Sequence, residues 1–165
     1  MKEHKIVKAI PLDDNCFATH EKECEGVGLK VYVTEDKHVV GLVKTKTCHQ
    51  GYEGTIHGGI ISTYFDEVLW YATIVDDEDT LAVTAELTVK YLKAVPVEED
   101  IRIIAEPMRR DGRHMYVDGY ILLSDGRVAA EATAHFIVVK PGHAVGDSEV
   151  ILYYSDDEMP ETVEF

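Results

Sequence analysis

Thr55-Ile56-His57-Gly58-Gly59, running into Ile60-Ile61-Ser62-Thr63-Tyr64-Phe65-Asp66-Glu67-Val68-Leu69-Trp70-Tyr71-Ala72-Thr73-Ile74-Val75, is the stretch that decides the fold. From Ile60 to Val75 sixteen residues pass without Gly or Pro, long enough for four helical turns. The acidic run Asp76-Asp77-Glu78-Asp79 follows, and negative charge is disfavoured at a helix C-terminus, so the helix is expected to stop by about Val75. Ile60, Ile61, Tyr64, Phe65, Val68, Leu69, Trp70 and Ile74 point around nearly the whole circumference, which marks a buried helix. Gly59, Ser62, Asp66 and Thr73 fall at i, i+3, i+7 and i+14, one narrow polar stripe. Asp66 is on that stripe and Glu67 is not.

Working outward, the chain on both sides reads as strand. Apolar–polar alternation over 29–34 and the run at 38–43 predict two strands before the helix, with a Gly-rich loop at 48–59. After the helix, Ala82–Leu92 alternates with Val83, Ala85, Leu87, Val89 and Tyr91 on one face and Thr84, Glu86, Thr88 and Lys90 on the other. Segments 101–105, 114–123 and 127–139 are three more strands, with Asp111-Gly112 and Asp125-Gly126 as turn residues. One long helix among about six antiparallel strands is an α+β domain with the helix covering one sheet face. The expected organisation is an N-terminal segment at 1–25, the domain at 26–140 and an acidic tail at 141–165 in which 150–154 docks and the rest is mobile.

Composition narrows the function. The chain has 165 residues, enough for one core. Its 16 Lys and Arg against 31 Asp and Glu give a net charge of −15, which disfavours nucleic acid and anionic membrane as partners. No apolar run is long enough to span a bilayer and no secretory signal is visible, so a cytoplasmic location is expected. Cys16, Cys24 and Cys48 are then expected as reduced thiols. Cys16, His20 and Cys24 sit four apart, but the spacing is not a CxxC pair, and no metal ion or cofactor is expected. The acidity is uneven: Lys90, Lys93, Arg109, Arg110 and Arg113 lie in the stretch that escapes it.

A carboxylate in the middle of an apolar helix is costly unless paired, and its setting suits a nucleophile or general base. The alternative is a structural Asp66 bonded to Ser62, Thr63 or a neighbouring strand. Gly58 and Gly59 at the helix start expose backbone N–H groups at the positive end of the helix dipole, suited to holding an oxyanion. His57 is either an acid–base group or a ring bonded to nearby backbone. Seven residues separate Gly59 from Asp66, about 10.5 Å of helix. One carbonyl group therefore cannot meet both within a single chain, and a composite site across a homodimer is expected.

His49-Gln50-Gly51-Tyr52-Glu53-Gly54-Thr55-Ile56-His57-Gly58-Gly59-Ile60-Ile61 with Asp66-Glu67 resembles the signature of hotdog-fold acyl-CoA thioesterases of the PaaI type. The strand at 82–92 running into Val95-Pro96-Val97, and the ending Arg127-Val128-Ala129-Ala130-Glu131-Ala132-Thr133-Ala134, are similar to the same family. The resemblance implies a central helix wrapped by an antiparallel sheet, in a homodimer or dimer of dimers with sites at the interface. It implies hydrolysis of an acyl-CoA, with Asp66 as nucleophile or base, the Gly58 N–H on the thioester oxygen, and Thr84 placing the water or the carboxylate. Gln50 is the nearest match to an assisting amide, with Gly51 the competing position. Gly59 and Glu67 are expected at the substrate. Lys90, Lys93, Arg109, Arg110 and Arg113 are expected either to hold the phosphates of coenzyme A or to serve as solvated strand-edge charges. A hotdog protein that binds an acyl-CoA or another apolar ligand without turnover is the alternative, and a dehydratase on the same fold lacks its motifs here.

Overall fold

The computed structural model describes residues 1–13, 15–20, 24–140, 152–154 and 158–165. The decisive stretch forms helix α1, Gly58–Tyr71, which continues as a 3-10 turn over Ala72–Ile74. It starts two residues earlier than expected because His57, in extended conformation, caps it. Strands β1 (Glu3–Ala9), β2 (Leu12–Asp13), β3 (Lys30–Thr34) and β4 (Val39–Lys44) precede it. Strands β5 (Ala82–Tyr91), β6 (Asp100–Ala105), β7 (Arg109–Asp111), β8 (His114–Leu122), β9 (Val128–Val138), β10 (Leu152–Tyr153) and β11 (Thr162–Glu164) follow.

Eight strands run in the order β11-β1-β3-β4-β6-β8-β9-β5, every neighbouring pair antiparallel, and β7 pairs onto β8. The sheet has nine strands, where about six were expected. The additions are β1, β7 and β11, whose apolar positions are few: only His4 and Ile6 are buried in β1, and only Val163 in β11. The last residues therefore dock at the sheet edge, as β11 on β1, where mobility was expected. β10 pairs with β2, consistent with docking at 152–154, while 141–151 and 155–157 lie outside the described residues.

The helix lies in the concave face of the sheet. Tyr64, Phe65, Val68 and Leu69 are fully buried against strand residues such as Ile101, Ile103, Met115, Val117, Ile121 and Phe136. Close approach is possible because Gly41 of β4 and Gly119 of β8 carry no side chain. A Cβ at Gly41 would lie 2.5 Å from Val68, and one at Gly119 2.7 Å from Leu69. Among the described residues no helix is long and apolar enough to cross a membrane.

Two expectations are corrected. The alternation over β5 is broken by a register shift between Thr84 and Glu86: Thr84 pairs with Phe136, and Glu86 with its neighbour His135. The extra residue, Ala85, is a bulge, and a bulge re-aims the side chains on one side of it. Thr84 thus shares the inner face with Leu87 and Val89 rather than the outer face with Glu86, Thr88 and Lys90. The thiols were expected reduced, but Cys24 and Cys48 form a disulfide with Cα atoms 5.9 Å apart. The two segments meet in the fold in a way that spacing does not encode: beside the bridge the Lys46 ammonium donates to the Gly26 carbonyl at 3.1 Å. Cys16 is the free cysteine among the described residues.

Candidate active site

The site begins at the helix N-terminus. His57 donates its backbone N–H to the His49 carbonyl at 2.9 Å, and its own carbonyl accepts from Ile60 and Ile61. Its ring folds back so that Nδ1 accepts the Gly59 N–H at 2.9 Å. In the neutral ring the proton then sits on Nε2. Glycines make this fold-back possible: a Cβ at Gly59 would lie 3.1 Å from His57 Nδ1, and one at Gly51 3.2 Å from its Cδ2. With Gly59 satisfied by the ring, the Gly58 N–H points out of the helix with no acceptor among the described residues. A Cβ at Gly58 would come no closer than 3.6 Å, to the Tyr91 ring, so the chain's own packing does not demand glycine there. His57 is therefore a capping residue that leaves one N–H free, at the positive end of the helix dipole.

Asp66 sits two turns further along. Thr84 donates its hydroxyl to Asp66 Oδ1 at 2.9 Å, the contact made available by the bulge in β5. Both line a cleft of about 830 Å³ between α1, β1, the β3–β4 turn and β5. Its wall is largely apolar, with Ile10, Val33, Trp70, Ile74 and Ala82. Trp70 is fixed by its indole N–H donating to the Ala82 carbonyl at 2.8 Å. Deeper in the cleft, Glu67 is hydrogen-bonded by Tyr71 and Cys16, with the Cys16 sulfur 3.7 Å from each carboxylate oxygen. Burial pushes the Glu67 carboxyl above its ordinary range, reinforced by the charges of Asp66 and Asp13. Burial and the neighbouring Glu67 push the Cys16 thiol up as well, so it is held as a thiol rather than a nucleophilic thiolate.

The acidic run after the helix closes this side of the cleft. Lys8 pairs with Glu78, and Lys37 with Asp76 at 2.6 Å, so 76–79 is tied back to β1 and to the β3–β4 turn. No spacing rule brings these partners together. Tyr91 was read only as a strand residue; its hydroxyl donates to the Gly58 carbonyl at 3.1 Å and lies 2.9 Å from Ser62 Oγ. The helix is thus bonded to β5 at both of that strand's ends.

The remaining expected residues scatter. Gln50 uses its side-chain oxygen to accept the Gly54 N–H at 3.1 Å, closing the turn before the helix. Lys90 lies opposite Glu131, and Lys93 is exposed beyond the end of β5. Arg109 is paired with Asp118 at 2.8 Å, Arg110 donates to the Gly112 carbonyl, and Arg113 is exposed. Through the ladder, Arg109 is level with Tyr116, His135 and Glu86, four residues along β5 from Lys90 and three strands away. That separation is roughly 20 Å, so the five do not form one cluster within a single chain.

A helix held in the concave face of an antiparallel sheet, with a free glycine N–H at its start and a carboxylate in its middle, sets this chain beside known proteins. Residues 53–130 match the thioesterase superfamily. The fold is the hotdog fold. The hotdog chain is 30% identical over 121 residues to the acyl-coenzyme A thioesterase THEM4 of Mus musculus, an alignment covering 71% of this chain and 51% of that protein. It therefore spans about half the length of the curated relative it matches. It is similar to the structure of a hypothetical thioesterase protein with coenzyme A from Streptococcus pneumoniae TIGR4, with a TM-score of 0.58 and 27% identity over 67% of this chain and 85% of that one. It is also similar to the PaaI protein of E. coli, from the phenylacetic acid degradation operon, with a TM-score of 0.61 and 14% identity over 69% and 81% of the two chains. That last likeness is of fold alone.

Proposed function

We propose that this chain hydrolyses an acyl-coenzyme A thioester to the free acid and the coenzyme A thiol, at a site shared by two copies. The observation that carries the reading is the Thr84–Asp66 pair at an apolar cleft, in a fold whose helix start leaves the Gly58 N–H without an acceptor among the described residues. Thr84 occupies Asp66 Oδ1, which leaves Oδ2 to take a proton from water as that water attacks the thioester carbon. Direct attack by the same oxygen to give a mixed anhydride is the other route. Negative charge then develops on the carbonyl oxygen, and a backbone N–H at a helix N-terminus stabilises it. Collapse of the tetrahedral species breaks the C–S bond, and the leaving thiolate takes up a proton.

The N–H comes from the second copy. Gly58 and Asp66 of one chain are about 12 Å apart along α1, too far to serve one carbonyl. β5 is the outermost strand of the sheet, ten residues long, with its far edge unpaired among the described residues. Pairing two β5 edges antiparallel about a two-fold axis that passes between Leu87 and Thr88 sets residue 91 of one copy beside residue 84 of the other. Tyr91 is bonded to Gly58 and Thr84 to Asp66, so this pairing brings the partner's helix start to the carboxylate. It also brings Lys90 and Lys93 of one copy toward the Arg109–Arg113 end of the other, where the phosphates of coenzyme A would find charge of the right sign. Release of free thiol from a panel of short, long and aromatic acyl-CoAs tests the reading. Turnover falling by about 10²- to 10⁴-fold in Asp66→Asn, with fold and association intact, is expected. Wild-type protein that binds the esters and releases no thiol makes it a non-catalytic binder.

A further inference from the structure

On the rim of the hotdog domain, away from Asp66, stands a group of side chains that the proposed chemistry does not use. His4 of β1, Asp36 in the β3–β4 turn and His38 just before β4 present their ligand atoms within 4.8 Å of one another. His4 is buried and Asp36 half-exposed, so the group is walled on one side and open to water on the other. The His4 and Phe165 rings stack at 3.8 Å, nearly parallel, and close the wall.

Hydrogen bonds around the group prepare one nitrogen. His38 Nε2 lies 3.0 Å from Glu106 Oε2, and since a carboxylate only accepts, that nitrogen carries the proton. In the neutral ring Nδ1 then holds a lone pair. It is buried without a hydrogen-bond partner among the described residues, yet stands 3.2 Å from Asp36 Oδ1, outside hydrogen-bond geometry. The other carboxylate oxygen is 2.8 Å from His4 Nδ1, which by the same rule carries a proton that a bound metal ion would displace. Asp36 Oδ1 also accepts the Thr34 hydroxyl at 2.7 Å, and its approach to a ring lone pair is repulsive unless a proton or a metal ion lies between the two. A carboxylate behind a histidine that offers its other nitrogen inward is the outer-shell arrangement that orients metal-ligating imidazoles.

We propose that His4 Nδ1, Asp36 and His38 Nδ1 bind a divalent transition-metal ion, zinc in the first instance. Two imidazoles and a carboxylate with one side open to water suit zinc in four-coordination, and the same donors accept cobalt or nickel. Binding requires the three atoms, which lie within 4.8 Å of one another, to close to about 2 Å from a common centre. The bound ion would join β1 to the β3–β4 turn, whose Glu35 and Lys37 line the cleft, so its role is structural and independent of the thioester reading. Sequence spacing gave no sign of it, because 32 residues separate His4 from Asp36.

The test uses the full chain, prepared without a histidine tag and stripped with chelator. Zinc chloride is titrated by calorimetry, and cobalt chloride by visible absorption. One ion per chain is expected, with the melting temperature raised by about 5–10 °C at a hundredfold excess over Kd. His4→Gln and Asp36→Asn should abolish the cobalt bands. Glu106→Gln, which leaves every ligand in place, should weaken binding by about 10- to 100-fold. No saturable binding by the wild type, or binding unchanged in His4→Gln and Asp36→Asn, overturns the proposal and leaves a proton between the carboxylate and the ring. Should His4→Gln not fold, Glu106→Gln decides: unchanged affinity there counts against the site.

Discussion

His57 separates a structural reading of the site from a chemical one. Replacing it with alanine removes the acceptor for the Gly59 N–H, 2.9 Å away, and leaves two unpaired donors at the start of α1 where there was one. Loss of a helix cap costs about 1 kcal/mol. For a chain of this size that corresponds to a fall in melting temperature of about 2–4 °C. Turnover should fall further than stability, because the Gly58 N–H loses the cap that fixes its direction and a misplaced oxyanion donor forfeits part of its 10²- to 10³-fold effect. His57→Asn is the informative partner. Asparagine is a preferred cap, and its side-chain oxygen can accept the same N–H. It should return the melting temperature and most of the turnover, with no change in the shape of the pH–rate profile. Thermal melts and thiol release at saturating ester measure both quantities. A His57→Asn variant that melts like wild type yet stays as slow as His57→Ala would refute the claim that His57 serves turnover through the cap, because only ring chemistry is then missing.

Two further perturbations follow from the geometry. Gly58→Ala should melt at or slightly above the wild-type temperature, since its Cβ meets nothing closer than 3.6 Å; turnover should nonetheless fall by about 10²- to 10³-fold as the methyl group bars the approach of a thioester to the N–H. Glu67→Gln tests the buried carboxyl. Its raised pKa means the folded chain holds that proton more tightly than the unfolded chain, so wild-type stability falls as pH rises through the folded value, and the variant lacks this loss. The melting temperature of the variant relative to wild type should rise as the pH is raised above the ordinary carboxyl range of about 4; a constant difference contradicts the assignment.

Much of the fold was readable because its signals are local. The apolar helix, the Gly-Gly start and the alternating strands each lie within one window of sequence, and Asp66 stood out because a carboxylate on the narrow polar stripe of an otherwise apolar helix needs a reason. What escaped was non-local. The bulge at Ala85 moves Thr84 to the inner face by one residue's slip, which a strict period of two cannot foresee. The Cys24–Cys48 bridge, the ties of Lys8 and Lys37 to the acidic run, and the bond from Tyr91 to Gly58 all join residues far apart in the chain. The basic residues between Lys90 and Arg113 looked like one cluster because they are near in sequence, but antiparallel strands spread them along the sheet.

Mixing two inactive variants tests catalysis by paired chains most directly. Asp66→Asn supplies an intact Gly58, and Gly58→Ala supplies an intact Asp66. In a mixed dimer one of the two sites then has both groups whole and the other has neither. Co-expressed at equal levels and free to pair at random, the two variants should together release thiol at about a quarter of the wild-type rate, from half the dimers with one working site each. Activity no higher than the average of the two variants alone would contradict a site built from two copies.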